Sequence, residues 1–198
     1  MINKLSITAA KKFIKLPDTQ YDKIEIYQYG FFVVFSNLIF FALSLIIGAI
    51  LKVLLQSLIF YCVFSLLRQF AGGYHAATET RCEILSSFAL IGSIGIIKLS
   101  SAYDFRFALL LITLISSVYI FVLCPLDTPE KPLSVKEFKY FRKVSWIILL
   151  VIITAIIISY VFNFQVVLVP CCLSLILEGI LIVAGKIKRV SQNNNVKS

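Results

Sequence analysis

The 198 residues are 60% hydrophobic, with a mean hydropathy of +0.95, against roughly 45–50% apolar residues in an ordinary soluble domain. Membrane spans of about 20 residues each would use most of such a chain, which leaves no room for a second soluble domain. Long uncharged runs also exclude disordered and nucleic-acid-binding classes, so the net charge of +9 needs another origin.

In chain order, Ile2, Leu5, Ala9, Phe13 and Leu16 fall at helical spacing opposite lysines. This predicts an interfacial helix on a membrane surface. Pro17 and Asp18 then break the chain and cap a second short helix through Tyr27. No uninterrupted apolar core occurs in the first 25 residues, so no cleavable signal peptide is expected. Apolar runs follow at Phe31 to Leu51, Val53 to Leu67, Ile84 to Ile97, Phe107 to Leu123, Trp146 to Phe162 and Val166 to Ala184. Only Lys52 separates the first two. One continuous helix there would far exceed the bilayer thickness, so a tight hairpin with Gly48 and Lys52 near its turn is predicted. The third run is short for a span, and tilt or an earlier start would accommodate it. The fold class expected is all-α and polytopic, with six transmembrane helices and four as the alternative. Residues 1–29 read as a cytoplasmic interfacial amphipathic segment, 30–185 as one transmembrane domain and 186–198 as a cytoplasmic polar tail. The final SQNNNVKS predicts disorder.

Charge supports this topology. With an even number of spans both termini share one side, and 16 of the 19 basic residues then fall on it, leaving Lys52, Lys98 and Arg106 opposite. The positive-inside rule makes that side cytoplasmic. The net charge is thus explained by topology and attraction to anionic membrane lipid. The basic stretch to Lys143 after Pro125 fits lipid contact, with the acidic part of a peptide as the second reading.

Chemistry concentrates in the loop from Arg68 to Cys82. It holds the single His of the chain, His75, with Cys82 seven residues later, the Gly72-Gly73 pair, Arg68 and Arg81. A free thiol titrates near about 8.5 and imidazole near about 6.5, so a close pair supplies a thiolate nucleophile and a general acid. On an unbroken helix, residues seven apart lie about 10.5 Å apart along the axis, so contact requires a break between them. A helix starting near Thr78 or Thr80 meets this need, with Thr80 and Glu83 spaced as a capping box and Cys82 in the first turn. The alternative is that His75 is a plain loop residue and Cys82 an apolar filler. One His cannot build a multi-His zinc site, and neither metal nor cofactor is expected.

Other features have packing readings. Cys62, Cys124, Cys171 and Cys172 lie in or beside apolar segments, and five cysteines give no disulfide framework. Gly92-Ser93-Ile94-Gly95 predicts tight helix packing, since no His is available to activate Ser93. Pro170 is placed to kink the last span. Glu178 is an acid deep within a span and needs a partner or a polar cavity, and the sequence names neither.

Arg68, Gly72-Gly73-Tyr74-His75-Ala76, Thr78 and Cys82, together with Cys124-Pro125-Leu126-Asp127 and Lys131-Pro132-Leu133, resemble the accessory gene regulator B (AgrB) family of membrane peptidases in peptide quorum sensing. The resemblance covers most of the chain. It implies a membrane cysteine endopeptidase that trims a short AgrD-type precursor peptide, with Cys82 as nucleophile, His75 as base and acid, and a cyclic thiolactone or lactone product. Around these two, Arg68 and Arg81 are candidates for binding an acidic peptide tail or are positive-inside markers. Gln69 is an oxyanion donor or an interfacial polar residue, and Glu79 orients His75 or is a solvated acid. The resemblance also leaves room for a homo-oligomer. A rival reading is a non-enzymatic membrane transporter or export component for a signal peptide.

Overall fold

The computed structural model describes residue 8 and residues 21–74, 78–126 and 133–195, without the side chains of residues 21–26, 29, 79, 80 and 192–195. The described helices are α1 (Tyr21–Ile50), α2 (Leu54–Ala71), α3 (Glu79–Leu99), α4 (Arg106–Leu123), α5 (Val135–Val161) and α6 (Gln165–Asn195). All six are long and apolar enough to cross a membrane, as expected of a multi-pass membrane protein. Each of the six apolar runs falls in its own helix apart from the turn residues Leu51, Val53 and Phe162, and four spans are set aside.

The helices extend beyond the apolar runs because polar residues at span ends continue the hydrogen-bond ladder into the interface. The short third run becomes the 21-residue α3. Two expectations are corrected. Residues 21–27 belong to the unbroken 30-residue α1 instead of a separate short helix. Ser191 to Asn195, expected to be disordered, prolong α6. Extending a formed helix fixes only one residue per added bond, and no Gly or Pro follows Gly185 to stop it.

Residues Met1–Leu43 and Ser44–Ser198 form two compact units. In the second, the α1–α2 hairpin turns where expected. Lys52 adopts φ 59° and Val53 N–H donates to Gly48 O at 2.8 Å. A Cβ on Gly48 would lie 2.0 Å from Ser57 Oγ, so glycine allows this approach. Ser44 Oγ donates to Ser57 O across the same contact.

Helix α6 is the centre of the second unit: 61% of its span is buried, against at most 28% for the other spans. It packs against α2, α4 and α5, and more lightly against α3. Bilayers offer little hydrophobic drive between helices, so close approach of small residues and internally bonded hydroxyls carry the packing. Gly179 faces Ser116, whose Cβ would be 2.8 Å from an added Cβ. Thr113 and Ser117 donate to carbonyls one turn back in α4, and buried Ser174 donates to Phe60 O of α2. A Cβ added at Gly92 or Gly95 would meet nothing within 4 Å beyond its own helix among the described residues. The tight packing expected there is instead made at Gly48, Gly179 and Gly185.

Along this unit the connections alternate between two ends. One end carries the turns at 51–53, 100–105 and 162–164, where Arg106 pairs with Asp104 at 2.7 Å and donates to Asn163 Oδ1. That guanidinium pulls the exposed Asp104 carboxyl down to about 2. The other end carries residues 72–74, 78, 124–126, 133 and 134 and, among the described residues, most of the basic side chains. There Arg142 lies 4.9 Å from the centre of the Trp146 ring, and Trp146 Nε1 donates to Phe121 O.

Candidate active site

The segment after α2 is held by two parts of the chain distant in sequence, at Leu126 and on α6, and by Arg68 one turn before it. Gly72 (φ 75°) and Gly73 (φ 130°) turn it out of the helix through backbone conformations that favour glycine. Gly72 pairs with Leu126 in an isolated parallel bridge, and Leu126 N–H donates to Ala71 O at 2.9 Å. Tyr74 N–H donates to Leu181 O of α6 at 2.9 Å. Gly185 makes this seam close, because an added Cβ would lie 2.5 Å from Leu126 Cδ2 and 2.9 Å from Tyr74 N. Lys188, one turn on, sits 5.6 Å from the centre of the Tyr74 ring.

Arg68 closes the arrangement from within. Its Nη1 donates to Gly72 O at 2.7 Å and its Nη2 to Tyr74 O at 2.5 Å. The same Nη1 lies 3.8 Å from Glu178 Oε1, an ion-pair contact too long for a hydrogen bond. A Cβ on Gly73 would overlap Nη1 at 1.9 Å, so this glycine also makes space for the guanidinium. The partner that the sequence left unnamed for Glu178 is therefore Arg68. Its guanidinium engages the chain's own carbonyls, a geometry that neither sequence reading of the residue anticipated.

On the far side of the loop, α3 opens with Thr78 as its N-cap, with φ −134° and ψ 148°. Thr78 Oγ1 accepts from Arg81 N–H at 3.4 Å, and Cys82 N–H donates to Thr78 O at 3.1 Å. Of the two caps considered, Thr78 is the one formed. Cys82 lies at the end of the first turn, part-exposed. Arg81 is exposed beside it, and Gln69 is exposed on α2. His75 lies outside the described residues, as does the Glu79 side chain, although the Glu79 backbone begins α3.

The other thiols have different surroundings. Cys124, Cys171 and Cys172 are buried, and burial pushes the Cys124 thiol upward, against nucleophilic use. Cys62 is exposed on α2. An open apolar groove of about 280 Å³ between α4 and α6, lined by residues such as Val118, Leu123 and Lys186, includes none of the candidate site residues. No group of His, Cys, Asp and Glu among the described residues could hold a metal ion. The chemistry on offer is that of a part-exposed thiol at a helix start, preceded in sequence by a segment, residues 72–74, that backbone and guanidinium bonds hold in place.

The family model of accessory gene regulator B matches residues 6–182. Among curated proteins, AgrB-like protein 2 of Clostridium perfringens strain 13 is 28% identical over 144 residues, covering 70% of this chain and 67% of the relative. An AgrB-like protein of Clostridium perfringens strain SM101 matches to the same extent. Protein FsrB of Enterococcus faecalis is 29% identical over 131 residues, 66% of this chain and 54% of its own length. No solved structure matches.

Proposed function

The chain belongs to the accessory gene regulator B family, and from that premise we propose that it is a membrane cysteine endopeptidase that processes an AgrD-type precursor peptide at the cytoplasmic face for quorum sensing. The observation that carries this reading is the placement of Cys82, part-exposed in the first turn of a helix whose cap follows the His75 segment. A nucleophile needs such access, together with a base brought to it by a break in the helix.

In this mechanism the Cys82 thiolate attacks the scissile carbonyl, the C–N bond breaks, and protonated His75 gives its proton to the leaving amine. The acyl group remains as a thioester on Cys82. A Cys or Ser within the precursor then attacks that thioester, which releases a thiolactone or lactone and regenerates the Cys82 thiol. Backbone N–H groups near Cys82 and the Gln69 amide are candidate donors to the oxyanion. Arg81, exposed next to the nucleophile, is suited to charge-assisted bonds with acidic residues of the peptide, and Glu79 to orienting His75. No observation among the described residues favours the transporter reading.

The test is co-expression of the chain with a doubly tagged AgrD-type precursor, comparing wild type, Cys82→Ala and His75→Ala at equal membrane abundance. Loss of cleavage in both variants supports the thiol peptidase. Unchanged cleavage in Cys82→Ala or normal processing by Cys82→Ser transfers the assignment to the transporter. Product mass decides the second step, because a plain hydrolase yields a linear product one water heavier than the ring.

A further inference from the structure

Glu178 has no exposed surface, and neither carboxylate oxygen has a hydrogen-bond partner among the described residues. A buried acid within a span is unfavourable unless something offsets it. The group it faces is Arg68, at 3.8 Å, and that guanidinium is the one bonded to the Gly72 and Tyr74 carbonyls. Arg68 is a long side chain with 21% of its surface exposed, so without a counter-charge beneath it the guanidinium is able to snorkel toward water. Gly73, with no side chain where Nη1 lies, shows that the backbone is shaped to receive the inward position.

We propose that Glu178 is a positioning residue: its buried carboxylate holds the Arg68 guanidinium inward, where it clamps the Gly72 and Tyr74 carbonyls and fixes the course of the chain leading into His75. This role rests on the thiol peptidase reading above. Stability alone is a poor explanation of the pair, because apolar side chains of similar volume replace buried ion pairs with little loss and sometimes a gain. An apolar pair would leave the two carbonyls unclamped. The difference between these explanations is therefore measurable in the reaction and not in folding.

The experiment uses the full chain in lipid nanodiscs with an AgrD-type precursor peptide, and measures kcat, KM and melting temperature. The proteins are wild type, Glu178→Gln, Glu178→Asp, Arg68→Met/Glu178→Met and Cys82→Ala. A misplaced catalytic group costs roughly tenfold to a hundredfold in rate. Glu178→Gln is expected to lose that much in kcat with KM changed less than about twofold, since substrate contacts are untouched. Glu178→Asp is expected to recover part of the rate. The double Met variant is expected to melt at or above wild type while remaining slow, and it decides the matter should Glu178→Gln fail to fold. Wild-type kcat in Glu178→Gln, or recovery of wild-type kcat in the double Met variant, overturns the role and leaves a merely structural pair. Cleavage that survives Cys82→Ala overturns the peptidase reading and the role together, whereas cleavage lost in Cys82→Ala yet normal in Glu178→Gln overturns the role alone.

Discussion

At the scale of single residues, the site depends on where a side chain is absent. Gly185 sits under the seam between Leu126 and Tyr74, and an added Cβ would lie 3.0 Å from Gly73 C and closer still to Tyr74 N. Backbone cannot swing aside as a flexible side chain does, so Gly185→Ala should cost roughly 1–3 kcal/mol, the usual range for overpacking. Gly92 and Gly95 have open surroundings, and alanine there should stabilise α3 by up to about 1 kcal/mol through helix propensity. Melting temperatures of the variants in detergent check both signs, and cleavage should fall only in Gly185→Ala. The sequence alone suggests the opposite emphasis, because a Gly-x-x-Gly spacing draws attention to Gly92 while Gly185 is one small residue in an apolar helix. Local spacing carries no information about which backbone arrives from more than a hundred residues away, as Gly73 and Tyr74 do at Gly185. The pairing of Arg68 with Glu178 was hidden for the same reason, although the cost of an unpaired acid in a span did signal that a partner must exist.

At the scale of elements, local rules were legible where the determinants are neighbours in sequence. Thr78 caps α3 and places Cys82 in its first turn, as the position of a hydroxyl ahead of an apolar run suggests. The α1–α2 hairpin follows in the same way from bilayer thickness and Lys52. Helix α5 has the fuller device, a capping box in which Ser134 Oγ accepts from Glu137 N–H and Glu137 accepts from Ser134 N–H. These two caps should separate stability from activity. Ser134→Ala should cost about 1 kcal/mol and leave cleavage near wild type, since Ser134 holds no candidate site residue. Thr78→Ala removes a longer, exposed bond and should cost less in melting temperature, yet it should slow cleavage because the freed turn carries Cys82. Parallel melts and cleavage rates would expose a failure, which is a Thr78 variant that cleaves as fast as the Ser134 variant.

At the scale of the whole molecule, hydropathy counted the spans correctly because a bilayer makes an apolar run of that length expensive to place anywhere else. Hydropathy does not say which end of the bundle faces the cytoplasm, and the structure adds a constraint to the charge argument. In the second unit, Lys52, Lys98 and Arg106 lie at the end with the turns 51–53, 100–105 and 162–164, whereas Arg68, Arg81, Arg142, Lys186 and Arg189 lie at the end with the candidate site. If the basic end is held inside by the positive-inside rule, the two ends must differ in access to a membrane-impermeant thiol reagent. In a variant with the native cysteines replaced, a cysteine at exposed Ser101 should be labelled on intact cells, and one at exposed Ser134 only after the cells are opened. Labelling of the Ser134 position from outside would place the candidate site on the outer face. The precursor would then have to cross the membrane before being cut, and the basic end would no longer be available to anionic lipid of the inner leaflet. The order of cleavage and export therefore follows from the side on which Ser134 reacts.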